Sequence, residues 1–423
     1  MKTGAFLHRW RRFRPIRKFP DHLFSHHLEF EPNIKHSQST LRTMKPCYKS
    51  TLRLAIILPV LSHAPLYGQL VHRYSFNDPA GDATDAALTD SVGSSHGVVK
   101  GTGAAFTGTG LDLPGGSSDT AAYGDLPKNL ISTHTAVTIE GWITVSSNAG
   151  NWARIFDFGS TDPGGDLGEI TGPGNTNGGS GTGLDYFFLS AARFNNYDDQ
   201  RIEVRNEDPA GGGINTFESS MPTVFGEQIH FAVTWKDTGV GTSEVNYWRD
   251  GVQQTTNAAA GSNLADLNDV NTWLGRSTWL ADSNLDATYD EFRIYENALT
   301  PAQIASSLNA GPNTLIDFAT DADGDLIPDS YEDLFAFLDS NDGSDAALDE
   351  DMDGLSNLQE FNTGTAPDED DSDDDGLKDG AEVNTHMTLP LIADSDDDGL
   401  KWSPSRCQRF LSFVDDRQLI FKG

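Results

Sequence analysis

Apolar and polar residues alternate through the middle of the chain, over residues 70–297. In residues 136–145, Val137, Ile139, Ile143 and Val145 fall on one face, and polar or amphipathic residues fall on the other. Side chains that alternate in this way belong to a strand with one face toward a core and the other toward water. The segment therefore predicts a half-buried antiparallel strand.

The same period of two returns elsewhere, at Phe231, Val233 and Trp235 and at Ile202 and Val204. Short strands repeated in this way, with polar turns between them, are typical of a sandwich or a jelly roll. We therefore predict an all-β fold, an antiparallel β-sandwich jelly roll.

Turn and cap signals separate the predicted strands. Asp250-Gly251 between two strand-like runs predicts a hairpin, because glycine tolerates the positive φ of such a turn. At the end of the β region we expect a strand in which Asp290, Phe292 and Ile294 face one way. A short helix follows, with Thr300 as N-cap, Gln303 closing a capping box and a glycine at its end.

Five segments of this region resemble the laminin-G-like, concanavalin A-like jelly-roll domains of bacterial exported proteins. In order they read LVHRYSFND, TAVTIEGWITV, NYWRDGV, NTWLGRS and YDEFRIYENALTPAQI. The resemblance implies one domain over residues 69–311. It leaves the function open, because this fold carries lectins, adhesion modules and glycosidases. It also implies a calcium ion at the sandwich rim, for which Asp78 and Asp290 are candidates.

Beyond the sandwich, residues 321–400 are strongly acidic and repeat a ligand-like spacing. Three 12-residue strings carry Asp at positions 1, 3 and 5, Asp or Asn at position 9 and Glu at position 12. They are DADGDLIPDSYE (Asp321, Asp323, Asp325, Asp329, Glu332), DEDMDGLSNLQE (Asp349, Asp351, Asp353, Asn357, Glu360) and DSDDDGLKDGAE (Asp371, Asp373, Asp375, Asp379, Glu382). This is the oxygen ligand set of a calcium loop. A solvated, disordered acidic segment is the alternative.

The string DSDDDGLK occurs twice, and its second copy is interrupted. That copy supplies Asp394, Asp396 and Asp398 as calcium ligands but has Trp402 at position 9 and Ser405 at position 12. From residue 401 the composition turns basic and aromatic. We therefore expect residues 401–423 to be an aberrant tail that follows a frameshift or truncation, and a degenerate last repeat is the alternative.

The second and third loops, with their linkers NTGTAP and NTHMTLP, resemble thrombospondin type 3 repeats of bacterial exported proteins. The resemblance implies an elongated calcium-binding array over residues 312–400, with little regular secondary structure. Cys47 and Cys407 are the two cysteines of the chain, so no disulfide framework is available to this array. We expect Ca²⁺ to stabilise it instead.

The charge distribution limits the possible partners. Of the 63 Asp and Glu residues, 60 lie after residue 53, whereas 12 of the 29 Lys and Arg residues lie within the first 53. The acidic part would repel nucleic acid and anionic lipid and would attract cations. We expect no nucleic acid partner and no transmembrane segment.

The N-terminal part predicts export. From Met44, a basic stretch precedes the apolar run of residues 54–61 and small residues that suit cleavage. This outline is a signal peptide over residues 44–68, and a buried strand after a basic tail is the alternative. Residues 1–43 then form a disordered upstream extension. The protein is expected to be secreted or to lie on the cell surface.

No catalytic motif is recognisable in the sequence. Trp152, Tyr186, Trp248, Trp273 and Trp279 lie in or beside strands, where most belong to the core and one or two can stack on sugar rings. We therefore expect a non-catalytic jelly-roll domain that recognises glycans or surface proteins, in adhesion or in the cell envelope. The alternatives are a polysaccharide-acting enzyme or its accessory binding subunit, and a structural stalk.

Overall fold

The structure, a computed structural model, describes residues 69–393 except 148, 163–168, 175–179, 193–199, 206–213, 219–221 and 261. The predicted upstream extension, signal peptide and aberrant tail lie outside the described residues. So do Asp394, Asp396 and Asp398 of the interrupted loop.

Seventeen strands are described, and all their pairings are antiparallel. They are β1 (Leu70–Tyr74), β2 (Gly81–Asp82), β3 (Ala87–Leu88), β4 (Gly97–Lys100), β5 (Ala105–Phe106), β6 (Leu111–Gly116), β7 (Tyr123–Leu126), β8 (Ala136–Val145), β9 (Arg154–Asp162), β10 (Thr182–Ser190), β11 (Arg201–Arg205), β12 (Ile214–Glu218), β13 (Gln228–Gly239), β14 (Thr242–Arg249), β15 (Val252–Ala260), β16 (Asn271–Leu274) and β17 (Asn284–Tyr295). The described helices are short: α1 (Pro301–Ala310), α2 (Asp329–Glu332), α3 (Asn357–Thr363) and α4 (Asp379–Ala381), with 3₁₀ turns at Leu264–Asp266 and Asp345–Ala347 and a π turn at Glu382–His386.

The strands form two sheets, which confirms the predicted sandwich. One sheet has the order β15-β14-β13-β8-β17-β6-β5-β2, with β1 also paired to β17, and the other has the order β12-β11-β10-β9-β16-β7-β4-β3. The alternating apolar residues of the sequence meet between the sheets. Val137, Ile139, Phe231, Trp235 and Val204 all belong to this main core.

Strand β8 is buried on both faces, so its prediction as half-buried is wrong. The second face carries Thr138 and Glu140, each 0% exposed, and Trp142, 3% exposed. This face is covered by the connection from β17 to α1 and by α1 itself, since the Leu299 amide donates to the Thr138 hydroxyl and the Ser307 hydroxyl donates to Glu140. Helix α1 begins and ends as predicted, since the Thr300 hydroxyl accepts from the Gln303 amide and Gly311 ends the helix at φ 79°.

A buried charged network lies between β8 and α1. Glu140 binds His230 at 2.9 Å and accepts from the Ser307 hydroxyl at 2.9 Å, and Arg293 donates to the same hydroxyl at 3.0 Å. Burial by itself raises the pKa of Glu140, but His230, Arg293 and Ser307 outweigh this and lower the pKa below its usual value. The network explains how polar residues occupy this face without water.

Two local predictions had different outcomes. The Asp250-Gly251 hairpin is confirmed, with φ 50° and 77° between β14 and β15. The common face of Asp290, Phe292 and Ile294 is wrong, because β17 has a bulge between Tyr289 and Glu291. Phe292 and Ile294 lie in the core, whereas the Asp290 carboxylate accepts from the Gln228 amide at 2.8 Å.

The acidic region packs on the sandwich through a second hydrophobic core. This core contains Trp248 and Tyr295 of the first sheet, Ile304 of α1, and Tyr331 and Phe361 of the acidic region. Tyr331 and Phe361 contact edge to face, with ring centroids 5.0 Å apart. The first two acidic loops are therefore packed against the sandwich.

Candidate metal centre

The three acidic loops close in the same way. In each, the backbone amide of position 9 donates to the carbonyl of the residue just before the loop. The pairs are Asp329 with Thr320 at 3.1 Å, Asn357 with Leu348 at 2.8 Å, and Asp379 with Asp370 at 3.2 Å. Position 9 is also the first residue of α2, α3 or α4. Each loop therefore runs into a short helix.

Within the loops, the aspartates bind backbone amides in a repeated order. One oxygen of position 3 accepts from the amide of position 5, and one oxygen of position 5 accepts from the amide of position 7. In the first series, at 3.0–3.2 Å, the acceptor and donor are Asp323 and Asp325, Asp351 and Asp353, and Asp373 and Asp375. In the second series, at 2.6–2.8 Å, they are Asp325 and Ile327, Asp353 and Leu355, and Asp375 and Leu377. These bonds fix the carboxylates around one point.

The remaining carboxylate oxygens at two positions face inward and have no hydrogen-bond partner. At position 3 this oxygen is Oδ2 of Asp323, Asp351 and Asp373; at position 12 it is both oxygens of Glu332 and Glu360, and Oε2 of Glu382. The three glutamates are only 0–1% exposed. A buried acceptor without a donor costs free energy, so the same omission in three loops requires a common cause.

The aspartates at positions 1, 3 and 5 come together in all three loops. In each triad the ligand atoms lie within 4.8 Å of one another: Asp321, Asp323 and Asp325; Asp349, Asp351 and Asp353; and Asp371, Asp373 and Asp375. The spacing of the sequence therefore predicted which acids would converge.

The pKa values of the glutamates show that these clusters disfavour charged carboxylates. Burial, followed by the neighbouring aspartates, raises the pKa of Glu332 to about 8, of Glu360 to about 9 and of Glu382 to about 7. The same causes raise the pKa of Asp373 to about 6. Burial and like charges without a counter-charge together produce this shift, and a bound cation would oppose it.

Position 9 differs from the other predicted ligand positions. The Asp329 carboxylate accepts from the Ala322 amide at 2.7 Å, and the Asp379 carboxylate accepts from the Ser372 amide at 2.9 Å. These oxygens hold the loop closed. In the second loop, Asn357 donates to the Asp345 carbonyl at 2.9 Å, and its own Oδ1 is buried without a partner.

The first loop departs from the others at position 6. Gly354 and Gly376 take φ 106° and 95° there, where the first loop has Leu326 at φ 83°. A positive φ is costly for a branched side chain. The Leu326 amide still donates to the Asp321 carboxylate at 3.2 Å, so the turn itself is kept.

One acidic residue of the cluster was missed by sequence reasoning. The ligand atoms of Asp325, Glu332 and Asp345 also lie within 4.8 Å of one another. Asp345 lies outside all three 12-residue strings, so loop spacing gives no signal for it. Only the tertiary structure brings it to the first loop.

These sites suit a hard cation that binds oxygen. Carboxylate oxygens surround each site, and cysteine and histidine take no part in the described clusters. Ca²⁺ prefers such ligands, whereas Zn²⁺ prefers sulfur and nitrogen. The residues present therefore fit the predicted Ca²⁺.

The sandwich offers two further surfaces. A groove of about 410 Å³ lies on β13–β15 beside the start of α1 and is lined by Lys236, Glu244, Asn246, Trp248 and Gln253, among others. Asn246 donates to Glu244 at 2.9 Å, and Gln253 donates to Asn246 at 3.1 Å. Polar side chains thus form a connected row along this groove.

The predicted aromatic candidates divide into two groups. Tyr186, Trp248 and Trp273 are at most 4% exposed, so they belong to the interior, as expected for most of them. Trp152 and Trp279 are partly exposed. The second surface is the one around Trp152, whose ring centroid lies 5.4 Å from the Arg154 guanidinium.

Two carboxylates share an arginine near Trp152. Arg154 lies 3.5 Å from Asp157 and 3.3 Å from Asp282. Burial raises the pKa of Asp157 to about 7, although Arg154 and Thr278 oppose the shift. Asp157 is 0% exposed and accepts from the Thr278 amide, so it also links β9 to the segment that contains Thr278.

Comparison with known proteins supports the fold. A laminin G-type family model, described as "Concanavalin A-like lectin/glucanases superfamily", matches residues 117–305. A search of curated proteins gives no match. Among the described residues, no helix has the length and apolarity needed to cross a membrane.

Several solved structures are similar to part of this chain. Domain 4 of AbnA, an extracellular GH43 arabinanase from Geobacillus stearothermophilus, is 18% identical, with a TM-score of 0.39, and the match covers 56% of this chain and 97% of that one. Trypanosoma rangeli sialidase is 14% identical, with a TM-score of 0.37, and the match covers 56% of this chain and 32% of the sialidase. The CBM40 of Ruminococcus gnavus IT-sialidase is 15% identical, with a TM-score of 0.33 and coverages of 45% and 91%.

Proposed function

We propose that this protein is an exported calcium-binding protein, in which a non-catalytic sandwich recognises glycans and an acidic region is stabilised by Ca²⁺. The observation that supports calcium most directly is the set of buried, partnerless oxygens at positions 3 and 12 of three loops. Each loop then uses Asp at positions 1, 3 and 5 and Glu at position 12 as ligands. The position 7 carbonyl completes such a site.

The wider organisation belongs to the same proposal. Residues 44–68 are a signal peptide, residues 69–311 the recognition domain and residues 312–400 an array of thrombospondin type 3-like repeats. In that array Asp394, Asp396 and Asp398 begin a fourth loop. Extracellular calcium modules bind with dissociation constants of about 10⁻⁴ to 10⁻³ M, which we also expect here.

Isothermal titration with CaCl₂ tests the calcium sites. We expect the wild type to bind at least three ions, and Glu360→Gln to lose one of them, because the second loop loses its position 12 carboxylate. Glu350→Gln is the matched control. It removes the same charge from an exposed residue of the same loop. Absence of calcium binding by the wild type, or equal losses in both variants, would refute the proposal.

Glycan recognition rests on the matched family, whose description includes lectins, and on the two sandwich surfaces. Amide and carboxylate side chains along the groove suit sugar hydroxyls, and a partly exposed tryptophan suits a sugar face. A glycan array with and without Ca²⁺ tests this proposal. Gln253→Ala weakens binding if the groove is the contact, and Trp152→Ala weakens it if the second surface is. A surface protein is the ligand if every glycan fails and cell-surface protein binds.

Polysaccharide hydrolysis is a second candidate function. It is favoured by Asp157, with its raised pKa, and by Asp282, which lies on the other side of Arg154. Glycoside hydrolysis uses a pair of carboxyl groups, one of which has a raised pKa and acts as the general acid. Release of reducing sugar from arrayed polysaccharides by the wild type, lost in Asp157→Asn, would support it. Binding without product release would exclude it for those substrates.

A further inference from the structure

A segment between the first and second loops crosses the first loop at close range. Gly343 approaches so near that an added Cβ would lie 3.1 Å from the Asp325 Cβ. Two residues later, Asp345 is 5% exposed. One of its oxygens accepts from the Asp339 amide at 2.7 Å, and the other, Oδ1, is buried without a hydrogen-bond partner.

We propose that Asp345 is a ligand of the calcium ion in the first loop. This inference rests on the proposed function and adds a ligand from outside the 12-residue loop. The ligand atoms of Asp325, Glu332 and Asp345 lie within 4.8 Å of one another. Glu332 is 1% exposed with two partnerless oxygens, so two almost fully buried carboxylates point into one space.

The burial of both Asp345 and Glu332 favours a cation at this position. Two buried carboxylates at this distance repel each other strongly in a medium of low dielectric constant. No lysine or arginine forms an ion pair with either of them within the described part of the chain. A shared Ca²⁺ supplies the missing charge and satisfies the orphan oxygens together.

Asp345 also connects the first site to the second loop. Its carbonyl accepts from the Asn357 side chain at 2.9 Å, and the nearby Leu348 carbonyl accepts from the Asn357 amide at 2.8 Å. Asn357 is position 9 of the second loop and begins α3. An ion that fixes Asp345 therefore also orders the closure of the second loop.

Calcium titration of Asp345→Asn in the full chain tests the ligand role. The variant keeps the size of the side chain and an oxygen that can accept from the Asp339 amide. We expect the affinity of one site to fall at least tenfold, and occupancy of the second loop to follow at higher calcium concentration. Asp342→Asn is the control, because Asp342 is exposed and caps the Ser344 turn, a bond that asparagine also makes. It should bind as the wild type does.

Thermal unfolding without calcium separates a ligand from a structural residue. Asp345→Asn removes one uncompensated charge, so the calcium-free variant should melt at the same temperature as the wild type or higher. A lower melting temperature there, or calcium binding equal to that of Asp342→Asn, would overturn the proposal. If Glu332→Gln weakens binding and Asp345→Asn does not, only this inference fails. If the wild type binds no calcium, the proposed function itself fails.

Discussion

Single carboxylates in the acidic region divide their two oxygens between two tasks. At position 3, one oxygen of Asp323, Asp351 or Asp373 accepts a backbone amide, while the other is buried without a partner. The first oxygen shapes the loop before any ion binds. The second would contribute free energy only with a cation present, so loop geometry and the proposed calcium affinity depend on the same side chains.

The protonation of the position 12 glutamates predicts an unusual pH dependence. Without calcium, the folded-state pKa of Glu360 is raised from 4.5 to about 9 and that of Glu332 to about 8. The folded protein therefore holds more protons than the unfolded chain between these values, and stability falls as pH rises. We expect the melting temperature of calcium-free protein to decrease from pH 5 to pH 9.

Differential scanning fluorimetry of chelator-treated, desalted protein measures this dependence. Glu360→Gln should flatten the pH profile, because its amide does not titrate, and excess Ca²⁺ should reverse the slope. Glu350→Gln should leave the profile unchanged. A calcium-free melting temperature that rises from pH 5 to pH 9 would contradict the argument.

At the scale of secondary-structure elements, the sequence correctly predicted the helix whose ends depend on interactions between neighbouring residues. Helix α1 begins at Pro301 because of the Thr300 and Gln303 capping box, and it ends at Gly311, all as expected from the residues. The bounds of strand β8 were predicted correctly, but the burial of its second face was not. The residues that cover this face come from α1 and the connection before it, about 160 positions later in the chain. The bulge in β17 likewise depends on pairing with β8.

Helix α4 packs so closely against the second loop that there is no room for a side chain at Gly380. A Cβ at Gly380 would lie 2.4 Å from the Asp353 carbonyl oxygen, and the Gly380 amide donates to the Asp353 carboxylate at 2.5 Å. In an isolated helix, Gly→Ala is stabilising by about 1 kcal/mol. Here we expect Gly380→Ala to destabilise the acidic region instead and to weaken calcium binding at the second and third loops.

Chemical unfolding and calcium titration of Gly380→Ala check this expectation. Gly81→Ala is the control, because nothing lies within 4 Å of a Cβ placed at that strand position. Its effect should stay within about 0.5 kcal/mol, as for most surface substitutions. An unchanged or more stable Gly380→Ala would show that the second and third loops do not pack as described.

At the scale of the whole molecule, the acidic region and the sandwich share a hydrophobic core. Ile327 at position 7 of the first loop is 0% exposed and lies in the same cluster as Trp248 of β14. Trp248 and Leu299 of that cluster also line the polar groove. An ion bound in the first loop, as proposed, would therefore also support one wall of this groove.

Removal of calcium should expand the protein. The 27 acidic residues of residues 321–400 are accompanied by one base, Lys378, so they repel each other once the cations leave. We expect the radius of gyration in small-angle X-ray scattering to increase on chelation and to fall again on addition of Ca²⁺. In the chelated state, 0.5 M NaCl, for which the Debye length is about 4 Å, should reverse part of the expansion by screening. Identical scattering in all three conditions would contradict a stabilising role of calcium.

The sequence by itself determined the features that depend on neighbours along the chain. Strand periodicity, the Asp250-Gly251 turn, the cap of α1 and the triads of positions 1, 3 and 5 are all local, so spacing alone placed them. The tertiary structure decided which faces are covered, how position 9 is used and that Asp345 reaches the first loop. Those outcomes depend on chain segments that meet only after folding, and no local pattern of residues encodes their meeting.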